Sequence, residues 1–301
     1  MLIKGNSDTS VTGLIHNHYA DGYSPGGSPS GSSAVDIAIG ADQGGSIRLP
    51  SANCGVVGLK PTWSLVPYTG CISLEATIDH AGLMTRTVQD CATVLEVIAG
   101  SDGIDDRQSY NWAPRHIKFG EEIRKDFANP TEKPLAGMKI GVLKEWFEDP
   151  MTNPNVTAAS RAAIAQMGEL GAEIKEIGIP LHRDSDMIWM IDLPMAGTTQ
   201  GLLANPVGRK QLLFPDRATQ VGPRLTQEAF DALGPGGQNI CLRGLLLQER
   251  FGPPLHARCT NLLRELNDSY EAELREVDVL VMPTIIFPPV RIIKGEERLG
   301  R

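Results

Sequence analysis

Apolar residues recur along this chain with two periods, and the two together lay out its elements. The clearest run is 255–274. Leu255, Cys259, Leu263, Leu266, Tyr270 and Leu274 step by four, four, three, four and four, the spacing that places side chains on one face of an α-helix. Val88, Cys91, Leu95 and Ile98 do the same within a helix expected over Thr85 to Ala99, with Gly100 as its stop. A third helix is expected from Pro154 to Leu170, with Val156, Ala159, Ala163, Met167 and Leu170 on its inner side. Its proline start and Gly171 after its end fit helix boundaries. Strand patterns occur at Val35–Ile39, Met138–Leu143 and Glu173–Ile179, and at Val279–Met282, which reads as a buried strand ending at Pro283. Cys54–Leu59 is small, apolar and expected inside, and Val66–Gly70 reads as a turn. Residues 1–33 are rich in Gly, Ser, Asn and Asp and read as loop. Residues 101–135 read as a surface excursion, and 184–237 as short helices shaping a pocket. Strands alternating with helices predict an α/β fold, a mixed central β-sheet flanked by helices, with no internal repeat.

Composition narrows the setting. The 301 residues suffice for one large domain or two small ones. With 28 basic against 36 acidic residues the formal charge is −8. Lys and Arg are not clustered, which argues against a nucleic-acid partner. No apolar run approaches the roughly 20 residues of a membrane span, and the start MLIKGNSDTS lacks a secretory apolar core. The five cysteines Cys54, Cys71, Cys91, Cys241 and Cys259 are odd in number, widely spaced and without C-x-x-C. Neither a disulfide framework nor a metal site is expected, and a reduced, cytoplasmic location is.

The chemistry concentrates between Gly40 and Thr62. Gly44-Gly45-Ser46 places a serine on a glycine turn, and a second cluster, Gly26-Gly27-Ser28-Pro29-Ser30-Gly31-Ser32-Ser33, lies upstream. A serine hydroxyl attacks a carbonyl only when a base takes its proton, and acyl transfer needs N–H donors at the developing oxyanion. The backbone N–H groups of Gln43, Gly44, Gly45 and Ser46 are the oxyanion-hole candidates, with Asp42 and Arg48 flanking the turn as a supporting pair. A bare Gly-Gly-Ser is more often just a tight turn. An anion nest is a further alternative, disfavoured because no Walker lysine follows. His16, His18, His80, His116, His182 and His256 are scattered without metal-ligand spacing. Cys54 is expected buried and inert. Met187, Trp189, Met190 and Met195 are candidates for an acyl pocket or for core.

The longer string decides between these readings. GADQGGSIRLPSANCGVVGLKPT at 40–62 resembles the signature of the amidase signature family, without a gap. PGGSPSGSSA, TIDHAGLMTRTV at 77–88 and VDVLVMPT at 277–284 resemble further family segments. The likeness is densest over 22–108 and continues to about 290. Gln43 and SLVPYTG at 64–70 look most like broad-range amidases of the nitrile-hydratase-linked type. The resemblance implies one amidase domain over 1–301, hydrolysis of carboxylic amides to a carboxylate and ammonia or an amine, and no cofactor. It implies a Ser–cis-Ser–Lys triad, a variant of acyl-transfer chemistry, with Ser46 as nucleophile and Ser28, after a cis peptide bond, as the bridging serine.

Against that pattern three departures stand out. The family's catalytic lysine lies in an apolar segment well upstream of the bridging serine. Only Lys4 precedes Ser28 here, in MLIKGNSD, and it is not assigned; Lys60 belongs to the G-L-K-P-T motif. Ser28 and Ser46 lie 18 residues apart, about six fewer than the family spacing, roughly one and two-thirds turns of helix. The chain also stops at Arg301, soon after PTIIFPP. It thus reads as the central part of an amidase lacking both ends and an internal segment, inactive or nearly so as written. The alternatives are a catalytically inactive binding or vestigial protein and an amidotransferase A-type subunit. The expected partner is a small-molecule amide; a homodimer is compatible, with neither nucleic acid nor membrane involved.

Overall fold

The computed structural model describes residues 14–28, 30–32, 35–108, 117–128, 131–202 and 226–292. Six strands and nine α-helices follow one another among them. Strand β1 is Ile37–Asp42, helix α1 is Arg48–Asn53, β2 is Val57–Leu59 and β3 is His80–Thr85. Then come α2 (Val88–Ile98), α3 (Phe119–Ala128), β4 (Lys139–Leu143), α4 (Lys144–Glu148), α5 (Pro154–Glu169) and β5 (Glu173–Ile177). A 3₁₀ turn at Pro180–Asp184 leads into α6 (Ser185–Ala196), which continues as a π-helical segment, Gly197–Leu202. The last elements are α7 (Gln227–Ala232), α8 (Pro235–Phe251), α9 (Pro253–Glu273) and β6 (Val279–Val281). The expected α/β architecture is present, with its strands divided between two three-stranded sheets.

The backbone forms two compact units: 1–124 with 193–250 and 289–301, and 125–192 with 251–288. In the first, β3 lies between β1 and β2 and is antiparallel to both. Gly40 pairs with Gly82, and Asp42 with His80. Beneath this sheet Val66, Tyr68, Ala81, Leu83, Cys91 and Leu95 form a buried cluster. Helix α2 begins at Val88, after an N-cap in which the Thr87 hydroxyl accepts the Asp90 amide. Cys91 and Leu95 face the core as expected, whereas Val88 is exposed. The expected helix start at Thr85 is corrected: residues 80–85 are a central strand, and five of the six are buried. A strand covered on both faces has no period-2 alternation to read.

In the second unit β4 is central and parallel to both β5 and β6. Leu143, Ile177, Ile179 and Leu266 pack together, with Trp146, Tyr270 and Leu280 against them. Helix α9 buries Cys259 and Leu266 on the predicted face. Helix α5 starts with an Asn153 side-chain cap and proline, but its buried residue is Ile164, while Ala159 and Ala163 are exposed. Val279, expected buried, is exposed at the start of β6.

Candidate functional site

Ser46 stands in the turn between the end of β1 and the start of α1, both in the first unit. Two features set the shape of that turn. Gly45 adopts φ +111°, and a Cβ there would come within 2.8 Å of Leu49 Cγ, so a glycine is required by conformation and by space. Asp42, with 0% exposure, then gathers the turn around its carboxylate. Its Oδ1 accepts the Gly45 amide at 2.7 Å and its Oδ2 the Ile47 amide at 3.1 Å. Arg48 adds a fork, Nε to Oδ2 at 3.0 Å and Nη2 to Oδ1 at 2.9 Å. Burial pushes the Asp42 carboxyl up, but the Arg48 guanidinium and the two amides outweigh it and hold the group at about 2. At neutral pH the turn is therefore wrapped around a fixed anion.

This arrangement narrows the set of oxyanion candidates. The Gly45 N–H is committed to Asp42. Ser46 and Gly44 are half-buried and Gln43 is buried; the Gln43 side chain is anchored away from the turn, a matter separate from its backbone N–H.

The upstream serine loop packs on the same helix. Gly26 adopts φ +86°, and a Cβ there would meet Asn53 Nδ2 at 2.9 Å and Pro50 Cα at 3.0 Å. The Cys54 thiol points at the Pro25 carbonyl at 3.6 Å, and Asn17 Nδ2 donates to the Asn53 carbonyl at 2.8 Å. The Gly27–Ser28 peptide bond is cis. The Ser28 carbonyl accepts the Ser30 amide at 2.8 Å, and Ser30 Oγ donates to the Gly26 carbonyl at 2.6 Å. Ser28 itself is exposed. Both serine loops thus rest on α1, and among the described residues no hydrogen bond joins the Ser28 and Ser46 hydroxyls.

Lys4, His116, Pro29, Ser33 and Ala34 lie outside the described residues. Lys60 is half-buried and donates to the Pro61 carbonyl at 3.1 Å. Burial, with the Arg48 charge added, pushes its ammonium down. His80, opposite Asp42 in the sheet, holds the Ile78 carbonyl at 2.7 Å. Burial and the Lys60 charge push it down to about 4. His16 pairs with Asp21, and His18 stacks on Tyr19. His182 meets the Tyr270 hydroxyl at 2.5 Å, and His256 faces Asp192 at 2.8 Å. Cys54 is buried. Met187 is exposed while Met195 is buried, so these two are not equivalent members of one lining. Among the described residues no group of three or more His, Cys, Asp or Glu could hold a metal ion, and no helix is long and apolar enough to cross a membrane. The sequence did not single out Asp79 or Tyr68 as partners of Gln43; nothing local marks contacts 25 and 36 residues away.

Known proteins share this arrangement of elements. The family model described as Amidase matches residues 1–298. An enantioselective amidase of Rhodococcus rhodochrous is 35% identical over 301 residues, covering 97% of this chain and 56% of the relative. The A-type subunit of the glutamyl-tRNA(Gln) amidotransferase of Synechococcus sp. (strain RCC307) is 30% identical over 298 residues, covering 97% and 58%. A bacterial aryl acylamidase of the amidase signature family superposes with a TM-score of 0.77 at 20% identity, over 97% of this chain and 56% of that one. The chain thus spans a little over half the length of the relatives it matches. With nearly every residue inside the family match, the chain belongs to the amidase signature family.

Proposed function

We propose that the chain carries the acyl-transfer centre of an amide hydrolase, with Ser46 as nucleophile, Ser28 as the bridging serine and a small carboxylic amide as substrate. One observation carries the reading. Ser46 sits on a glycine turn held around the ionised Asp42, and the loop that carries Ser28 packs through Gly26 on the same short helix. In this reading Ser46 Oγ attacks the amide carbon, and the leaving nitrogen departs as ammonia or an amine. Water then releases the carboxylate. The Gln43, Gly44 and Ser46 amides are the donors for the oxyanion, since Gly45 serves Asp42. Asp42 and Arg48 keep the turn in shape. No lysine among the described residues takes the role of base, and a general base contributes about 10²–10⁴-fold. Turnover by the chain as written is accordingly very slow, while Ser46 keeps its place on the turn.

Fluorophosphonate labelling followed by peptide mapping tests this. The expected result is a slow adduct on the Ser46 peptide that disappears in Ser46→Ala. Label that persists in that variant, or that maps elsewhere, refutes the assignment. In a second reading the chain transfers amide nitrogen within a larger assembly, which the likeness to the amidotransferase A-type subunit supports. It predicts glutaminase activity that appears only with a second protein chain, whereas a stand-alone hydrolase turns over simple aryl amides alone.

A further inference from the structure

Asp42 holds the Ser46 turn from one side. A second set of buried groups reaches the same turn through the side chain of Gln43. Both hydrogens on its amide nitrogen are placed, one on the Tyr68 hydroxyl at 2.9 Å and one on Asp79 Oδ1 at 3.0 Å. Gln43 is 8% exposed and Asp79 0%. Asp79 is itself anchored: Ser73 Oγ donates to its Oδ2 at 2.5 Å, and the Leu74 amide to its Oδ1 at 3.2 Å. Behind both partners stands Arg107. Its Nη1 donates to the Asp79 carbonyl at 2.6 Å, and its Nη2 to Asp105 Oδ2 at 2.6 Å. Asp105 Oδ2 also accepts the Tyr68 amide at 2.8 Å, and the guanidinium lies 4.9 Å from the centre of the Tyr68 ring.

A buried polar network with its donors and acceptors matched is stiff, because displacing any member strands another in a low-dielectric interior. Gln43 is gripped at its tip, and its backbone is the residue just before Gly44. Two glycines leave that stretch of chain free to bend, so what fixes its entry fixes where Ser46 stands. We propose that Asp79 is a positioning residue for Ser46, acting through Gln43, with Tyr68 and Arg107 holding it in place. The role rests on the reading of Ser46 as nucleophile and involves no contact with substrate.

Three variants of the full chain test it: Gln43→Leu, Asp79→Ala and Asp79→Asn. Each is followed by hydrogen exchange of the amides of residues 43–48 and by the saturation kinetics of fluorophosphonate labelling at Ser46. Gln43→Leu and Asp79→Ala should speed exchange in the turn. They should lower the maximal labelling rate by about 10- to 100-fold, with the half-saturating concentration unchanged, as expected for misplacement of a reacting atom. Asp79→Asn should restore both readouts, since its oxygen still accepts from Gln43 while its amide donates to Ser73 Oγ. A generalised loss of stability would not separate Asn from Ala in this way. Gln43→Leu leaves the other bonds of Asp79 in place and guards against a variant that does not fold. Unchanged exchange and labelling in Gln43→Leu, or an Asn variant no better than Ala, overturns the proposal. If the unmutated chain takes no label at Ser46, the nucleophile reading falls. Exchange then decides alone: unaltered protection in Gln43→Leu overturns the role of Asp79, and faster exchange sustains it.

Discussion

Replacing Asp42 by asparagine removes one charge at constant size, and the structure sets the expected effect. The carboxyl is fully buried and sits at about 2, against 3.8 for an unperturbed aspartate. That depression corresponds to about 2 kcal/mol of folding stability at neutral pH. Because the folded-state value is the lower one, the stabilisation is complete above pH 3.8. As the pH falls, the unfolded chain takes up the proton first, and the contribution is lost toward pH 2. About half of it should be gone by pH 3. Asparagine has no such titration. It also turns an N–H toward the donors of Gly45, Ile47 and Arg48, a conflict costing about 1–3 kcal/mol at every pH. Urea unfolding of both proteins between pH 7 and pH 3 is the measurement. Asp42→Asn should be less stable by about 3–5 kcal/mol at pH 7, with the gap narrowing by about 1 kcal/mol at pH 3. A gap that stays constant over that range would refute the claim that an ionised Asp42 organises the turn.

Two further outcomes follow from the same unit. A Cβ on Gly82 would lie 2.3 Å from the Leu59 carbonyl oxygen and 2.9 Å from Ile47 Cδ1. Gly82→Ala should therefore lower stability by about 1–3 kcal/mol or more in thermal unfolding, and an unchanged melting temperature would contradict the close packing of β3. His80, pushed down to about 4 by burial and the Lys60 charge, should titrate near pH 4 by NMR. Its depressed value means that stability is lost as pH falls from the unfolded value of 6.5 toward 4, and a midpoint above 6 would place the ring in water.

What could be read in advance depended on how local its cause was. The face of α9 with Cys259 and Leu266 follows from helical spacing alone and is where the spacing puts it. Helix α5 was legible in its ends, because Asn153, Pro154 and Gly171 act within a turn or two. Its inner face was not, because alanines at 159 and 163 are as comfortable in water as inside. Strand β3 escaped because HAGLMT becomes a strand through two partners, β1 and β2, and neither is visible from residues 80–85. Helix α3, in the stretch read as surface excursion, buries only Gly120 and sets Phe119 against the core; Phe119, Ile123 and Phe127 recur at steps of four, a short stripe that the surrounding prolines and mixed charges masked. At the site, Asp42 and Arg48 flank the turn and stand six residues apart, close enough to suggest their pairing. The grip of Tyr68 and Asp79 on Gln43 required knowing how the sheet folds back.

The packing of the serine loop on α1 bears on which changes this segment tolerates over evolutionary time. Gly26 touches Pro50 and Asn53, and Cys54 touches Pro25, so the two serine-bearing loops are registered by contact at a shared surface. Of the chain between them, Ile37–Asp42 is itself fixed in the sheet as β1, paired with β3. A side chain at position 26 breaks that registration at once, through both its dihedral angle and its contacts. Drift in this protein should therefore be arrested at that single small residue.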